Sequence, residues 1–145
     1  MKYLFLNEKF YNKYDEINYP EIERKTSRPY IMIVIKVNDL TFGIPLRSDV
    51  KHKYALFTDK ENNCGADYSK AVIIPDETYI DESKSPHIRD NEFNVLKGKE
   101  YRLKVGFERY IEKYKKALEH LDIKRNQKMC QYSTLQYFHK ELGIK

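Results

Sequence analysis

Cysteine is scarce in this chain and poorly placed for cross-linking: Cys64 and Cys130 are the only two in 145 residues, and neither belongs to a Cys-x-x-Cys pair. Neither a disulfide scaffold nor a zinc site is therefore indicated. No apolar run approaches the roughly 18 residues of a membrane span, so a membrane partner is not expected. The opening Met1-Lys2-Tyr3 leads straight into a strand-like run, without the longer apolar region and small-residue cleavage site of a signal peptide, which sets the expectation of a cytoplasmic protein. With only 5 glycines there is no glycine-rich phosphate loop, an argument against an enzyme acting on a small phosphorylated metabolite. The four histidines, His52, His87, His120 and His139, show no pairwise metal-ligand spacing and no accompanying acidic cluster. A magnesium-dependent nuclease would bring several carboxylates together, so no metal or other cofactor is expected.

What is present is charge and aromatic rings. Charged residues make up 34% and mean hydropathy is −0.78, yet the apolar residues fall in short clusters and aromatics reach 14%, as in a folded domain with a polar surface. A length of 145 residues suits one domain, 1–145, with one core. The net charge of +5 is unevenly spread: 97–128 holds 11 Lys or Arg against 5 Asp or Glu, whereas 76–92 holds 6 acids against 2 bases. A basic surface gathers anions, nucleic acid above all, although a lysine-rich helix is equally often a solvated face.

Taken in order, 2–6 reads as a strand and Asn7 as the cap of a short helix, accepting from the backbone NH of residue 9 or 10. Phe10, Tyr11 and Tyr14 then share one side of that helix. The continuous β-branched run at 30–35 reads as a strand buried on both faces, Asn38-Asp39 as a turn, and 40–46 as the partner strand that ends at the proline-bearing segment. Further strands are expected at 54–57 and 71–74, with a turn at 58–63 between them. The acidic stretch 76–92 reads as a loop in which Pro86 and His87 serve structure. The span 100–121 reads as a long helix, because Leu103, Phe107, Tyr110, Ile111, Tyr114, Leu118 and Leu121 recur at spacings of 3 and 4. Ser133 is expected to cap a last helix with Leu135, Phe138 and Leu142 on its apolar stripe, ended by Gly143. Strands with helices at the two ends predict an α+β domain.

The hairpin 30–46 delivers its richest chemistry to one end. The segment Gly43-Ile44-Pro45-Leu46-Arg47-Ser48-Asp49-Val50-Lys51-His52-Lys53 offers a guanidinium, a hydroxyl, carboxylate, imidazole and ammonium groups within eleven residues. That mixture suits a phosphodiester, which needs cations for its charge and groups that move a proton; on residue types alone it is also an ordinary solvated loop. Arg28 enters the hairpin where Ser48 leaves it, and the two ends of an antiparallel pair are neighbours. Arg28, Arg47 and Ser48 are therefore predicted to converge.

Pro45-Leu46-Arg47-Ser48 followed by Lys51-His52-Lys53 resembles the signature loop of the type III toxin–antitoxin endoribonucleases, the ToxN/AbiQ/CptN/TenpN group. The opening Met1-Lys2-Tyr3-Leu4-Phe5-Leu6 with its tyrosine-rich helix, the strand at 30–37 with Arg28 ahead of it, and Gly65-Ala66-Asp67-Tyr68-Ser69-Lys70-Ala71-Val72-Ile73-Ile74-Pro75 resemble the same family in the same order. Thr134-Leu135-Gln136-Tyr137-Phe138-His139 resembles the last helix of its TenpN-like branch. The fold implied is a compact SH3-like barrel of the PemK/MazF/ToxN type with added helices, among them the long basic helix and a C-terminal one.

The activity implied is metal-independent cleavage of single-stranded RNA. A ribose 2′-OH attacks its own phosphate and leaves a 2′,3′-cyclic phosphate and a 5′-OH, provided the protein positions the hydroxyl and neutralises the developing charge. In that reading Ser48, Arg47, Arg28 and Lys53 form the catalytic set. The family's active-site tyrosine falls on Phe10 here, with Tyr11 beside it. Tyr11, Lys51, His52, Tyr68, Lys70, Lys104, Lys113 and Lys116 are the candidate RNA contacts. The resemblance also implies an inhibitor: a small repeat-derived RNA pseudoknot that the toxin processes and that holds it in a closed protein–RNA assembly. A non-catalytic RNA-binding module using the same basic surface remains the alternative.

Overall fold

Apolar periodicity becomes sheet wherever it alternates and helix wherever it recurs at three and four. In the computed structural model, which describes residues 1–25 and 29–145, the chain runs β1 (Lys2–Leu4), α1 (Glu8–Lys13), β2 (Met32–Val37), β3 (Leu40–Arg47), β4 (Ala55–Asp59), β5 (Cys64–Asp67) and β6 (Val72–Ile73). Three helices follow: α2 (Asp90–Leu96), α3 (Glu100–Leu118) and α4 (Lys124–Tyr132). Tyr68–Lys70, Glu77–Tyr79 and Thr134–Tyr137 form single 3₁₀ turns. The domain is thus α+β.

All strand pairs are antiparallel, in the order β1-β2-β3-β5-β4 with β6 also on β3. Among the described residues no pairing joins β1 to β4, so the sheet stays open where the resemblance implied a closed barrel. The hairpin β2–β3 closes with Val37 opposite Leu40 over Asn38 and Asp39, at φ 50° and 65°, the double left-handed turn whose twist matches the strands.

β3 does not stop at its proline. It passes through Pro45, paired with Met32, to end at Arg47. The NH of Leu46 donates to the carbonyl of Ile31, so the alternation of a strand turns position 45 to the other side. There β3 changes partner, from β6 at Phe42 and Gly43 to β5 at Leu46 and Arg47. A missing NH costs no ladder bond at that gap.

Helix α3 lays Leu103, Phe107, Tyr110, Ile111 and Tyr114 into the core, with Phe107 edge-on to Phe42 at 4.8 Å. It ends at Leu118, a turn earlier than the periodicity implies, and Leu121 is exposed. The side-chain amides of Asn126 and Gln127 donate to the carbonyls of His120 and Leu121, closing the turn into α4. Two further expectations are corrected. The stretch 76–92 is not all loop, since α2 begins at Asp90. Ser133 caps only the short turn Thr134–Tyr137, accepting from the NH of Leu135, and no long C-terminal helix follows it. Asn7 does cap α1, accepting from the NH of Phe10, while its own amide donates to the carbonyls of Thr78 and Ile80.

Gly106 marks where α3 meets the sheet layer. A Cβ there would stand 2.3 Å from Oη of Tyr68, whose hydroxyl donates to the carbonyl of Leu103 and whose ring is 6% exposed. Gly106→Ala is expected to lower stability by about 1–3 kcal/mol through this overpacking, outweighing the gain of about 1 kcal/mol in helix propensity. A shift of the urea midpoint to lower concentration is the readout; an unchanged or higher midpoint would refute the contact.

Candidate functional site

The open end of the β2–β3 hairpin forms one side of a cleft of about 650 Å³. Lys25, Pro29, Ile31, Leu46, Arg47 and Ser48 contribute from the hairpin and its approach, Phe5 from the end of β1, and Ser85, His87, Ile88, Arg89 and Glu92 from the loop and first turn of α2. That second group is tied down at both ends. The NH of Asp81 donates to the carbonyl of Phe5. Glu92, 6% exposed, accepts from Thr58 Oγ1 at 2.7 Å and pairs with Arg89 at 2.9 Å.

Behind Arg47 lies the most heavily bonded carboxylate among the described residues. Asp67 is fully buried at the end of β5. It accepts from Arg47 Nη1 at 2.5 Å, from Ser69 Oγ at 2.6 Å and from the NH of Ser69 at 2.9 Å. Nε2 of His52 lies 3.2 Å from Asp67 Oδ1 and 3.2 Å from Ser69 Oγ. The tautomer follows from the other ring nitrogen: Nδ1 faces the NH of Tyr54 at 3.0 Å and must accept, so Nε2 carries the proton and donates. Burial pushes the Asp67 carboxyl up, but donation from His52, Ser69 and Arg47 outweighs it and holds the group below its usual range. Arg47 also pairs with Glu23 at 3.1 Å. Burial works against its charge, yet Glu23, Asp67 and Tyr30 bind the guanidinium proton more tightly than usual.

Val50 completes the loop geometry. It is 1% exposed, its NH donates to the carbonyl of Asn63, and Asp49 just before it takes φ 58°. The turn leaves Ser48 exposed at the cleft while the chain on both sides is anchored. The side chain of Ser48 makes no hydrogen bond among the described residues, so its hydroxyl is open to a ligand.

The other predicted site residues are scattered. Arg28 lies outside the described residues. Lys53 is exposed beside the Tyr54 ring and does not line the cleft. Lys51 is exposed and pairs with Asp49 at 3.5 Å. His52 has both ring nitrogens committed to the protein. Tyr68 is core, its phenol pushed up to about 12 by burial. Lys70, 9% exposed, is held at 2.8 Å by both Glu21 and the carbonyl of Tyr132. Neither Tyr68 nor Lys70 presents a surface to RNA. Phe10 is fully buried. Tyr11 is half-buried with its hydroxyl unpaired among the described residues, and burial pushes it up to about 12. Lys104, Lys113 and Lys116 are exposed on α3.

From the sequence His87 reads as structural and Arg89 does not stand out, yet both line the cleft with Ser48. No local pattern announces them, because their partners in the cleft are some forty residues back along the chain. Among the described residues no three His, Cys, Asp or Glu side chains are grouped to hold a metal, both cysteines are free, and no helix is long and apolar enough to cross a membrane. The cleft is lined by the guanidinium groups of Arg47 and Arg89, the hydroxyls of Ser48 and Ser85 and the imidazole of His87, a set suited to an anionic ligand. Compared with known proteins, the chain matches no family model, no curated protein and no solved structure.

Proposed function

We propose that the chain is an endoribonuclease that cleaves single-stranded RNA by attack of a ribose 2′-OH on the adjacent phosphate, as the resemblance to type III toxins implies. The observation that carries the reading is the pairing of an open hydroxyl, Ser48, with a guanidinium, Arg47, whose orientation is set from behind by the buried Asp67. A phosphate in the cleft would take hydrogen bonds from Ser48 and from the Arg47 Nη protons not given to Asp67, Glu23 and Tyr30. These donors stabilise the extra negative charge of the five-coordinate transition state. Because the nucleophile belongs to the substrate, the protein's task is to align it and carry charge. The apolar part of the cleft, Phe5, Ile31 and Leu46, gives a base a surface to lie on. The shared strand β3, with partial sheets on its far side, is what an opened SH3-like barrel would keep.

The same reading supplies the partner. The exposed Lys104, Lys113 and Lys116 of α3, with α4 beside them, suit a folded antitoxin RNA in the cytoplasm, held through many phosphates and hence released by salt. Short tandem repeats next to the gene would encode it.

Incubation with single-stranded RNA in excess EDTA tests the activity. Fragments ending in 2′,3′-cyclic phosphate and 5′-OH, identified by mass spectrometry, are expected. Fragments with 5′-phosphate and 3′-OH ends would overturn the mechanism, and binding without any cleavage would leave an RNA-binding module.

A further inference from the structure

Proton transfer is the part of this chemistry that neither Ser48 nor Arg47 supplies. The cleft residues differ sharply in what they can do with a proton. Lys25, Arg47 and Arg89 enter as cations, and serine hydroxyls such as Ser48 and Ser85 do not take protons near neutrality. Glu92 is a carboxylate, but it is buried and both its oxygens are engaged, by Thr58 and by Arg89. His87 remains.

The other histidines are occupied or elsewhere. His52 gives Nε2 to the Asp67 group and Nδ1 to the NH of Tyr54. His139 is bonded to the Tyr114 hydroxyl at 2.6 Å, and neither it nor His120 lines the cleft. His87 alone combines a place in the cleft, an exposed side chain and a ring with no hydrogen-bond partner among the described residues. Imidazole is also the side chain whose ordinary titration falls near neutral pH, the condition for efficient general base catalysis.

Resting on the ribonuclease reading, we propose that His87 is the general base of the cleft. Its neutral imidazole takes the proton of the ribose 2′-OH as the 2′-O–P bond forms. The P–O5′ bond breaks, the leaving 5′-oxygen is protonated by water, and the imidazolium returns its proton to solvent. Ser48 and Arg47 hold the phosphate during this exchange.

The test compares the wild-type chain with His87→Gln and His87→Ala on a short single-stranded RNA in EDTA, across pH 5 to 9. The charged groups that line the cleft with His87 are Lys25, Arg47, Arg89 and Glu92. For the wild type, kcat is expected to climb with pH along a single-proton limb and then level off. In His87→Gln it is expected to fall on the order of 100-fold or more, with KM little changed and the limb gone. Added imidazole is expected to restore part of the His87→Ala rate. His87→Gln cleaving at the wild-type rate with the same product ends would overturn the assignment while leaving the ribonuclease reading intact. So would a slowed His87→Ala that keeps the wild-type pH limb and ignores imidazole. A wild-type chain that makes no cyclic phosphate would overturn the underlying reading, and the wild-type arm alone reports that outcome.

Discussion

Asp67→Asn is expected to cost about 3–5 kcal/mol, the penalty for breaking a buried ion pair from one side. The carboxylate is fully buried and joins β5 to the end of β3 and to the loop carrying His52. An amide can replace one acceptor, but not the charge that faces the Arg47 guanidinium. Arg47 would keep Glu23 and Tyr30 but lose the contact that sets its direction toward the cleft. Equilibrium unfolding in urea at neutral pH measures the loss; a variant within about 1 kcal/mol of wild type, the range of an ordinary surface pair, would show that the network is not a determinant of stability. The pH dependence gives a second readout. The Asp67 carboxyl is held below its usual range in the folded chain, so the unfolded chain takes up the proton at a higher pH. The stabilisation is complete above the ordinary carboxyl titration near about 3.9 and is lost as pH falls through the lower folded value. Wild type is expected to lose stability steeply toward acid, and Asp67→Asn to show a shallower decline.

The same residue marks the limit of what could be read from sequence. The β2–β3 hairpin, its Asn38-Asp39 turn and the apolar face of α3 were all legible because each rests on local chemistry: a run of β-branched residues, two residues that tolerate positive φ, and spacings of three and four. β5 is four residues of cysteine, glycine, alanine and aspartate, all buried, and it has no such pattern. Its Gly65 is required by β4, since a Cβ there would lie 2.6 Å from the carbonyl oxygen of Leu56. Asp67 and Lys70 are buried because Arg47, His52 and Glu21 come to them from 15 to 49 residues away. A charged residue read alone is assigned to the surface, which is why the sequence puts Lys70 among the RNA contacts. α4 has no fully buried residue and lays only Met129 and Cys130 against the core, too few apolar positions to announce a helix. For the site, antiparallel geometry made legible that Pro29 and Ile31 meet Arg47 and Ser48 at one end of the hairpin, with Arg28 outside the described residues, whereas the wall carrying His87 and Arg89 is a long-range contact of a loop.

Ser48→Ala separates catalysis from folding more cleanly than any change in the Asp67 network. Ser48 is exposed, and the turn that presents it is held by the backbone NH of Val50 and the positive φ of Asp49, neither of which needs the hydroxyl. The variant is expected to keep the wild-type unfolding midpoint and spectrum. Its cleavage of a short single-stranded RNA is expected to fall on the order of 100-fold, about 3 kcal/mol, the usual loss for one transition-state donor. If the hydroxyl acts only as the phosphate charge develops, kcat carries the loss and KM does not. Arg47→Lys is the useful contrast. It keeps a cation but gives up the fork that reaches Asp67 and Glu23 together, so stability and turnover should fall in the same variant. A folded Ser48→Ala protein that cleaves at a near-normal rate would remove Ser48 from the chemistry. The cleft would then have to meet its phosphate through its arginines, Arg47 and Arg89.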